Sequence, residues 1–379
     1  MKIGFFHDHI FLNKEGVRYT TGTLDSSLWE RYFLDGVEKV IICCRERDYK
    51  TGDSLGAVSS LERVIFKPSP SISSVSSLLF GMNKNVVKNT VEEVDYVVVR
   101  LPSEIGFAAV KYAKKLNKPV VCEVVGCPFD GLNGYGTMKA KIYAPVIRER
   151  MKKFVESCDG ALYVTENALQ KKYANLKSEN ASNVSISSVN HECLEFRKSK
   201  FDNAEILNIG LIGALDNDIK GVDVAIRSLK SIGGVRLRVL GKGDPKRFES
   251  LANKYNVEVH FDGFISDKNK IFDWLDNIDI YIQPSFQEGL PRATIEAMSR
   301  GCIIASSNAG GLGELTLPEF IHIPGDHLKL SKDISQIINS NLNIKKKYIE
   351  HSLIEASKYT SNILKKKRDN FYKSVFNMV

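Results

Sequence analysis

Short runs of β-branched and other apolar residues alternate with amphipathic stretches along almost the whole chain. Strand-length runs separated by helix-length segments are typical of parallel β-sheets whose strands are joined by crossover helices. The runs before residue 190 are KIGFF, KVIICC, RVIFK, YVVVR, PVVCEVV, GALYVT and NVSISS. Those after residue 205 are ILNIGLIG, RLRVLG, VEVHF, IDIYIQ, CIIAS and FIHIP. The pattern predicts an α/β protein with two doubly wound sheets in series.

The length of the chain also indicates two domains, because 379 residues exceed the ~250 to 300 at which a single core usually stops growing. The polar stretch NHECLEFRKSKFDN, residues 190–203, lies between the two sets of strands, and we interpret it as the linker. We predict an N-terminal domain at 1–195, a second domain at 204–360 and a basic amphipathic helix at 361–379 that returns to the first domain. The serine-rich stretch at 68–79 is typical of a loop that enters a helix.

Composition and charge narrow the classes of function. No apolar run reaches the ~18 residues of a membrane-spanning helix, and the opening MKIGFFHDHIF is charged too soon for a signal peptide, so we expect a cytoplasmic protein. The seven cysteines lack a C-x-x-C spacing for zinc and are expected to be reduced core residues. A net charge of +8 predicts an anionic partner, which a nucleotide, a membrane surface or nucleic acid would each satisfy. Nucleic acid gains no support, because the basic residues lack interleaved stacking aromatics.

Residues 287–301, QEGLPRATIEAMSRG, place two acids after a predicted strand, where ligands of open α/β sheets bind. Glu288 precedes a Gly-Leu-Pro turn, and Glu296 follows eight positions later inside a predicted helix. Pro291 suits the first turn of that helix, whose free backbone N–H groups would attract a phosphate. Each carboxylate offers two acceptor oxygens, which suit neighbouring hydroxyls of a sugar or a ribose. A diphosphate between two hydroxyl-bearing rings describes a nucleotide sugar.

This stretch resembles the signature of retaining glycosyltransferases of family 4, in which seven residues separate two glutamates. Three further segments resemble that family: GLIGALDNDIKGVDVAIRSL at 210–229 its phosphate segment, VLGKGDP at 239–245 its next strand and loop, and AGGLGEL at 309–315 its closing Gly-Gly-x-x-Glu element. The resemblance covers roughly residues 206–320 and implies the GT-B fold, in which two Rossmann-like domains face each other across a cleft. The N-terminal segments VRLPSEIGFAAVKYAKK, CEVVGCPFDG and ALYVTENALQKKYAN look like the subgroup that builds capsular and other surface polysaccharides.

The resemblance implies a role for each matching residue. Glu288 matches the acid that holds the hydroxyls of the donor sugar, and Glu296 matches the acid that holds the ribose. Lys220 matches the lysine that neutralises the diphosphate and stabilises the leaving group. The implied backbone contacts to the donor fall on Gly289 and Leu290, those to the base on Phe264 and Ile265, and Gly213 lies in the phosphate segment.

Two positions depart from the family pattern. Ala214 follows the strand where the family usually has an arginine, so either a neighbouring cation replaces that contact to the diphosphate or the donor is bound more weakly. The candidate cations are Arg238, Lys242 and Arg292. The first strand is followed by HDHIFLNKEGVRYTTG in place of a Gly-Gly pair, which leaves Gly16 or Gly22 for the loop that approaches the transferred sugar and the phosphates.

The acceptor side is less well defined by the sequence. Glu123 and Asp130 follow a predicted buried strand and are candidates for binding the acceptor hydroxyl, with a turn role for Asp130 as an equal alternative. Asp8 is either a polar loop residue or an acceptor contact. His7 and His9 could flank a metal, but an H-x-H pair without a third ligand is more often structural, and we expect no metal site.

The basic stretch at 139–157 has apolar residues near helical spacing: Ile142, Val146, Met151 and Phe154. We interpret it as a helix packed on the core by these residues. The alternative is contact with anionic lipid, which suits a polyprenyl diphosphate-linked acceptor at the inner face of the plasma membrane.

Together these inferences predict a hexosyltransferase-type glycosyltransferase that moves a sugar from a nucleoside diphosphate sugar to a glycan hydroxyl with retention of configuration. The family resemblance favours UDP as the nucleotide of the donor. The resemblance implies that no metal or other cofactor is needed, because positive protein groups replace the metal. Two alternatives stay open: a nucleotide-sugar epimerase of the same fold, and a catalytically weak nucleotide-sugar-binding protein, which Ala214 makes less remote.

Overall fold

The computed structural model describes residues 1–22, 24–72, 84–134, 137–184 and 186–378. Two largely parallel sheets follow one another along the chain, which confirms the predicted α/β architecture. The serine-rich stretch at 68–79, predicted to be a loop entering a helix, lies mostly outside the described residues.

The first sheet has nine strands. They are β1 (Lys2–Lys14), β2 (Val17–Thr20), β3 (Lys39–Asp48), β4 (Ala57–Val58), β5 (Val64–Phe66), β6 (Tyr96–Leu101), β7 (Val120–Val124), β8 (Gly160–Tyr163) and β9 (Ser178–Asn180). The parallel strands lie in the order β5-β3-β1-β6-β7-β8-β9, while β2 pairs antiparallel with the far end of β1 and β4 pairs with β2. The order reverses between β1 and β6, so a crevice forms at the carboxyl ends of these two strands.

The second sheet has six strands. They are β10 (Leu207–Ile212), β11 (Val235–Leu240), β12 (Val259–Phe261), β13 (Ile280–Gln283), β14 (Ile303–Ser307) and β15 (Ile321–His322). All of them are parallel, in the order β12-β11-β10-β13-β14-β15, which is the doubly wound order of dinucleotide-binding folds. The corresponding crevice lies between the carboxyl ends of β10 and β13.

Helices connect the strands of both sheets. They are α1 (Ser26–Trp29), α2 (Asn85–Glu93), α3 (Glu104–Lys115), α4 (Pro128–Gly134), α5 (Met138–Ser157), α6 (Ala168–Lys172), α7 (Cys193–Asn203), α8 (Val222–Leu229), α9 (Lys246–Tyr255), α10 (Lys268–Asp276), α11 (Arg292–Ser299), α12 (Leu312–Leu315), α13 (His327–Asn339), α14 (Leu342–Ser357) and α15 (Ser361–Phe376), with 3₁₀ turns at Glu30–Tyr32 and Pro318–Phe320. Several begin at a side chain that accepts a hydrogen bond from the first turn, as Ser103 does for α3 and Asp267 for α10.

The central strands are buried on both faces, which is why they read as continuous apolar runs. Every residue of β7, β8, β13 and β14 is buried. All seven cysteines are buried and free of disulfides. No helix in the described ranges combines the length and the apolar composition that crossing a bilayer requires.

The stretch that we interpreted as a linker differs from that expectation. Residues 193–203 form α7, which packs on α14 within the second domain. Its Arg197 is almost fully buried and donates to the backbone carbonyls of Leu275 and Arg300 at 2.9 and 3.1 Å. Arg197 is thus a charge that carbonyl groups satisfy inside the second domain, while most other polar residues of this stretch lie on the exposed face of α7; the connection between the sheets falls between Asn180, the end of β9, and α7.

The last helix of the chain, α15, lies on the first domain, although the whole second domain separates the two in the sequence. The chain returns along the connection just described, where Ser361 N donates to Ile186 O at 2.8 Å. Helix α15 then packs against β8 and β9, and Tyr372 donates a hydrogen bond to the buried Glu123 carboxylate at 2.7 Å. Both crossings between the domains therefore lie side by side.

Candidate active site

The candidate site lies at the carboxyl edge of the second sheet, where β10 and β13 diverge. Gly213 follows β10, and a loop of six residues, 214–219, then leads to Lys220 just before α8. Glu288 lies on the loop that joins β13 to α11. The fold therefore brings together two residues that are far apart in the sequence, at the position where ligands of such sheets bind.

Lys220 and Glu288 form an ion pair, with 2.7 Å between Lys220 Nζ and Glu288 Oε1. The Glu288 side chain is nearly buried, whereas that of Lys220 remains 30% exposed. Gly213 makes room for this lysine, because a Cβ there would lie 2.6 Å from Lys220 Cγ. Gly221 has a φ of +68°, and an added Cβ would lie 2.2 Å from Pro284 O. Two glycines therefore fix the path of the lysine across the strand end.

A chain of buried, hydrogen-bonded side chains leads along β13 to Glu288. Ser285 Oγ donates to Glu288 Oε1 at 2.8 Å, and Gln283 Nε2 donates to Ser285 Oγ at 2.8 Å. Tyr281 OH donates to Gln283 Oε1 at 2.7 Å and accepts from Ile212 N at 3.3 Å. This chain holds the Glu288 carboxylate in place and connects it to β10. The sequence reading overlooked it, although polar residues at alternate positions of an apolar strand are a recognisable signal.

Glu296 lies on the second turn of α11, which begins after Pro291. Burial raises the pKa of the Glu296 carboxyl above its ordinary value, against the opposing positive charges of Arg292 and Lys268. Lys268, at the start of α10, is a neighbour that the sequence reading missed, and burial lowers the pKa of its ammonium group. In the described part of the chain the Glu296 carboxylate has no hydrogen bond to another side chain, so its oxygens are free to accept from a ligand.

The loop after β12 carries the two residues expected to meet the base. The Phe264 side chain is 68% exposed, while Ile265 is partly buried against the core. Asp262 anchors this loop, because it accepts both Nε and Nη2 of Arg238 at 3.0 and 2.8 Å and also accepts Trp274 Nε1 at 2.8 Å. The loop thus has a rigid base and an exposed aromatic tip.

The cations considered as substitutes for the missing arginine are not equivalent. Arg238 is held by Asp262 in a bidentate pair, so it is not free for a phosphate. Lys242 and Arg292 are exposed and have no ion pair within the residues that the structure describes. Arg247, which the sequence reading did not consider, donates to Leu215 O at 3.1 Å beside the Gly213 turn.

The structure does not bring Gly16 to these residues. We expected a loop after the first strand, but β1 continues to Lys14 because residues 10–13 pair with β3. Gly16 instead lies in the turn of the β1–β2 hairpin with a φ of +83°, and an added Cβ would meet nothing within 4 Å. The expected loop is therefore absent at this position, and the glycine serves the turn. Gly22 lies beyond β2, next to the His9 ring.

The candidate acceptor residues of the first domain have structural partners. Glu123 is buried and accepts hydrogen bonds from Tyr32 and Tyr372 on the same oxygen, at 2.8 and 2.7 Å. Its other oxygen lies 3.8 Å from Arg100 Nη1, and positive charge around it lowers its pKa despite the opposing effect of burial. This carboxylate is thus sealed into the domain core.

Asp8 and Asp130 are also engaged. The two oxygens of Asp8 accept from Glu104 N and Ile105 N at 2.5 and 3.2 Å, which caps α3. Asp130 pairs with Lys172 at 2.5 Å. His9 Nε2 lies 2.8 Å from Thr20 Oγ1, which gives it a protein partner, and His9 N donates to His7 Nδ1 at 3.1 Å. These contacts favour the structural alternatives for all four side chains.

Residues of the first domain lie directly against the loop that joins β13 to α11, which we call the donor loop after the donor contacts that the family resemblance implies for it. A Cβ added to Gly289 would lie 2.4 Å from Val125 O, just beyond the end of β7. A Cβ added to Gly311 would lie 2.8 Å from Thr165 Cγ2, just beyond β8. Leu290 is buried and packs beneath Gly311. Two strand ends of the first domain therefore cover the loop that carries Glu288.

Helix α5 differs from the core-packed helix that we expected. Met151 is buried and Phe154 stacks on Phe107 with 4.6 Å between ring centroids, as a packed helix requires. Ile142 and Val146, however, are 71% and 53% exposed. The helix is therefore anchored by its second half, while its first half presents apolar side chains to solvent.

A model of the family described as Glycosyl transferases group 1 matches residues 207–340. The chain is 34% identical over 369 residues to Protein CapJ of Staphylococcus aureus, which covers 95% of this chain and 91% of CapJ. The sucrose-phosphate synthase of Thermosynechococcus elongatus superposes with a TM-score of 0.70 at 14% identity over 100% of both chains. Anabaena HepE, in a structure with UDP and glucose, superposes with a TM-score of 0.66 at 15% identity over 100% of both chains. These similarities confirm the GT-B fold.

Proposed function

This chain belongs to the group 1 glycosyltransferases, and from that membership we propose that it transfers a hexose from a nucleoside diphosphate sugar to a hydroxyl of a surface glycan. One observation carries the proposal: Lys220 Nζ lies 2.7 Å from Glu288 Oε1 at the edge of the sheet where ligands bind. This pair places a cation suited to the diphosphate beside a carboxylate suited to the sugar hydroxyls.

The donor that fits best is a UDP sugar. Anabaena HepE, which shares the fold, holds UDP and glucose in its structure. In our proposal the base lies against the exposed Phe264 and Ile265 loop, and the ribose hydroxyls donate to Glu296. The diphosphate lies between the start of α11 and Lys220, and the sugar hydroxyls donate to Glu288.

The reaction we propose keeps the configuration of the transferred sugar. The acceptor hydroxyl attacks the face from which the diphosphate departs, and an oxygen of the leaving diphosphate takes the proton. Lys220 and the backbone N–H groups at the start of α11 balance the charge that develops on the leaving group, so the proposal invokes no metal. The Lys220–Glu288 ion pair must loosen as the donor enters, because the diphosphate then competes for Lys220 and the sugar hydroxyls compete for Glu288.

The acceptor that we propose is a growing surface polysaccharide. This part rests on the resemblance of the N-terminal segments to enzymes that build such polymers. Its hydroxyl would enter from the first domain, between the Val125 carbonyl and the Thr165 side chain, which already cover Gly289 and Gly311. The candidate side chains Glu123 and Asp8 are occupied by protein partners, so we assign the acceptor contact to the Val125 carbonyl and Thr165 rather than to them.

A thermal-shift screen of UDP, GDP and ADP sugars tests the donor assignment. We expect a UDP sugar to raise the midpoint of wild type, and we expect Glu288→Ala to lose most of that increase, because the sugar loses its carboxylate. Glu249→Ala, which removes an exposed glutamate of the same domain, is the matched control. Equal stabilisation of wild type and Glu288→Ala by every donor would contradict the role of Glu288.

Product analysis with the best donor separates transfer from the alternatives. Extension of a glycan acceptor supports the proposed reaction. Epimerised donor without glycan extension would identify the epimerase, and donor binding without turnover across broad acceptor panels would identify a binding protein.

We propose further that the first half of α5 contacts an anionic membrane. Met138, Ile142 and Val146 lie on consecutive turns of one face and are 73%, 71% and 53% exposed. Three exposed lysines flank or extend this face: Lys139, Lys141 and Lys153. An apolar stripe between lysines fits the interface of an anionic bilayer. Helix α4 lies between α5 and the donor loop, where Gly131 meets Gln287, so a lipid-linked acceptor held there would lie close to the cleft.

The membrane proposal predicts that Ile142→Asp lowers partitioning onto vesicles at least ~10-fold, because it removes an apolar contact and adds a repelled charge. Sedimentation with phosphatidylglycerol-containing vesicles measures the effect. Ile354→Asp, at a site that is 60% exposed on α14, is the control and should bind as wild type does. Equal binding of wild type and Ile142→Asp, or equal binding to neutral and anionic vesicles, would refute the contact.

A further inference from the structure

A carboxylate of the second domain is bound by backbone of the first. Glu314, on the short helix α12, accepts from three consecutive N–H groups. Its Oε2 accepts from Glu166 N at 2.7 Å, and its Oε1 accepts from Asn167 N at 2.8 Å and from Ala168 N at 2.5 Å. Hydrogen bonds to a charged acceptor are roughly twice as strong as neutral ones, so this is a substantial contact between the domains.

The three N–H groups lie at and directly before the first residue of α6, Ala168. Asn167 precedes the helix and makes no capping hydrogen bond. The first N–H groups of a helix need an acceptor, which in most helices comes from a neighbouring side chain. Leu169 N has its acceptor within the first domain, but the acceptor for residues 166–168 comes from the other domain, so these three N–H groups depend on the domains lying together.

The same segment of the second domain holds the donor loop. Gly311 N donates to Gly289 O at 2.7 Å. Gly310 has a φ of +57°, and a Cβ there would lie 2.2 Å from Glu288 O. Only two residues separate Gly311 from Glu314. Residues 310–314 therefore connect the backbone of Glu288 to the contact that Glu314 makes with the first domain.

The segment after β8 that supplies the N–H groups also covers the donor loop. A Cβ at Gly311 would meet Thr165 Cγ2 at 2.8 Å, and Val164 Cγ2 lies 3.9 Å from the Cβ position of Gly289. Within the segment, Thr165 Oγ1 accepts from Leu169 N at 3.0 Å, so it is itself ordered. Release of Glu314 would let this cover move away from the residues that we assign to the donor sugar.

We propose that Glu314 is a positioning residue that holds the first domain over the donor site, so that the acceptor reaches the sugar and water does not. The inference rests on the proposed function, because it assigns to the contact a role in transfer. Glu314 does not touch the reacting atoms; it acts through the Gly289 loop on one side and the residue 165–168 turn on the other. Excluding water from the site during transfer limits hydrolysis of the donor.

The test compares Glu314→Gln and Glu314→Asp with the control Glu319→Gln, which changes an exposed glutamate of the same domain. The glutamine keeps the shape of the side chain but loses its charge and one acceptor oxygen. The aspartate keeps the charge but is too short to reach all three N–H groups. We expect kcat for transfer to fall about 10- to 100-fold in Glu314→Gln and less in Glu314→Asp, with the donor KM within about threefold of wild type. The ratio of donor hydrolysis to transfer should rise in both variants.

Small-angle scattering supplies a measurement that does not require turnover. Glu314→Gln should have a larger radius of gyration than wild type and Glu319→Gln, with and without UDP, while its thermal midpoint shows that it is folded. The proposal is overturned if both Glu314 variants transfer at the wild-type rate, or if Glu314→Gln is folded and has the wild-type radius. Failure of the proposed function would look different, because wild type itself would then lack transfer while the scattering difference persisted.

Discussion

Replacing Lys220 with alanine is expected to lower kcat for sugar transfer about 10²- to 10³-fold, because the leaving diphosphate loses the cation that faces it. The side chain is held in place, with its stem over Gly213 and its Nζ 2.7 Å from Glu288 Oε1. Ala214 increases the dependence on this lysine, since the neighbouring arginine of related enzymes is absent and Arg238 is committed to Asp262. Initial-rate measurements over a range of donor concentrations give the effect.

Lys230→Ala is the matched control for this experiment. Lys230 is exposed at the end of α8, on the same helical segment but away from the strand edge. We expect its kcat to stay within about twofold of wild type, as surface substitutions usually do. If Lys220→Ala kept near-normal rate and donor affinity, the diphosphate would have to be held elsewhere.

Gly289→Ala is expected to lower kcat about 100-fold with little change in thermal midpoint. The new Cβ would lie 2.4 Å from Val125 O, a distance that forces the first domain away from the donor loop. The φ of Gly289 lies outside the positive range that favours glycine, so alanine does not strain the backbone within its own domain. The variant thus changes the spacing of the domains rather than the folding of either one. Steady-state kinetics and a melting curve on the same preparation measure both quantities.

Gly233→Ala provides the control, because an added Cβ there meets nothing within 4 Å and its φ is also not positive. It should match wild type in both rate and midpoint. A Gly289→Ala protein with unchanged kcat would mean that the contact with Val125 does not set the spacing needed for transfer. A large fall in its midpoint would instead indicate that the contact mainly stabilises the fold.

Much of the fold could be predicted because it depends on local pattern. Strands buried on both faces appear as continuous apolar runs, and this gave all six strands of the second sheet close to their observed positions. Glu288 could be nominated because it lies on the loop after such a strand, and Lys220 because the family resemblance implies a lysine in the loop after another; the carboxyl ends of neighbouring parallel strands meet at one edge. Their direct pairing could not be predicted, since it depends on where Gly213 and Gly221 direct the intervening loop.

The predictions that were wrong share a physical cause: each depended on contacts with residues that are distant in the sequence. The stretch at 190–203 reads as polar, yet carbonyl groups from other elements satisfy Arg197 inside the second domain. Residues after His7 read as a loop, yet pairing with β3 extends β1 to Lys14. Ile142 and Val146 have the spacing of a buried face, yet nothing in the described structure covers them. Periodicity indicates that a face is apolar but does not indicate what lies against it.

The position of α15 has a consequence for how the protein is made. The first domain relies on Tyr372, Phe371 and Phe376 for part of its buried core, and these residues are the last of its parts to leave the ribosome. That domain therefore remains incomplete while the whole second domain is translated. We expect its sheet to expose the surface under α15 during synthesis, and a nascent chain stalled before residue 361 should be more sensitive to protease in residues 160–180 than the released protein.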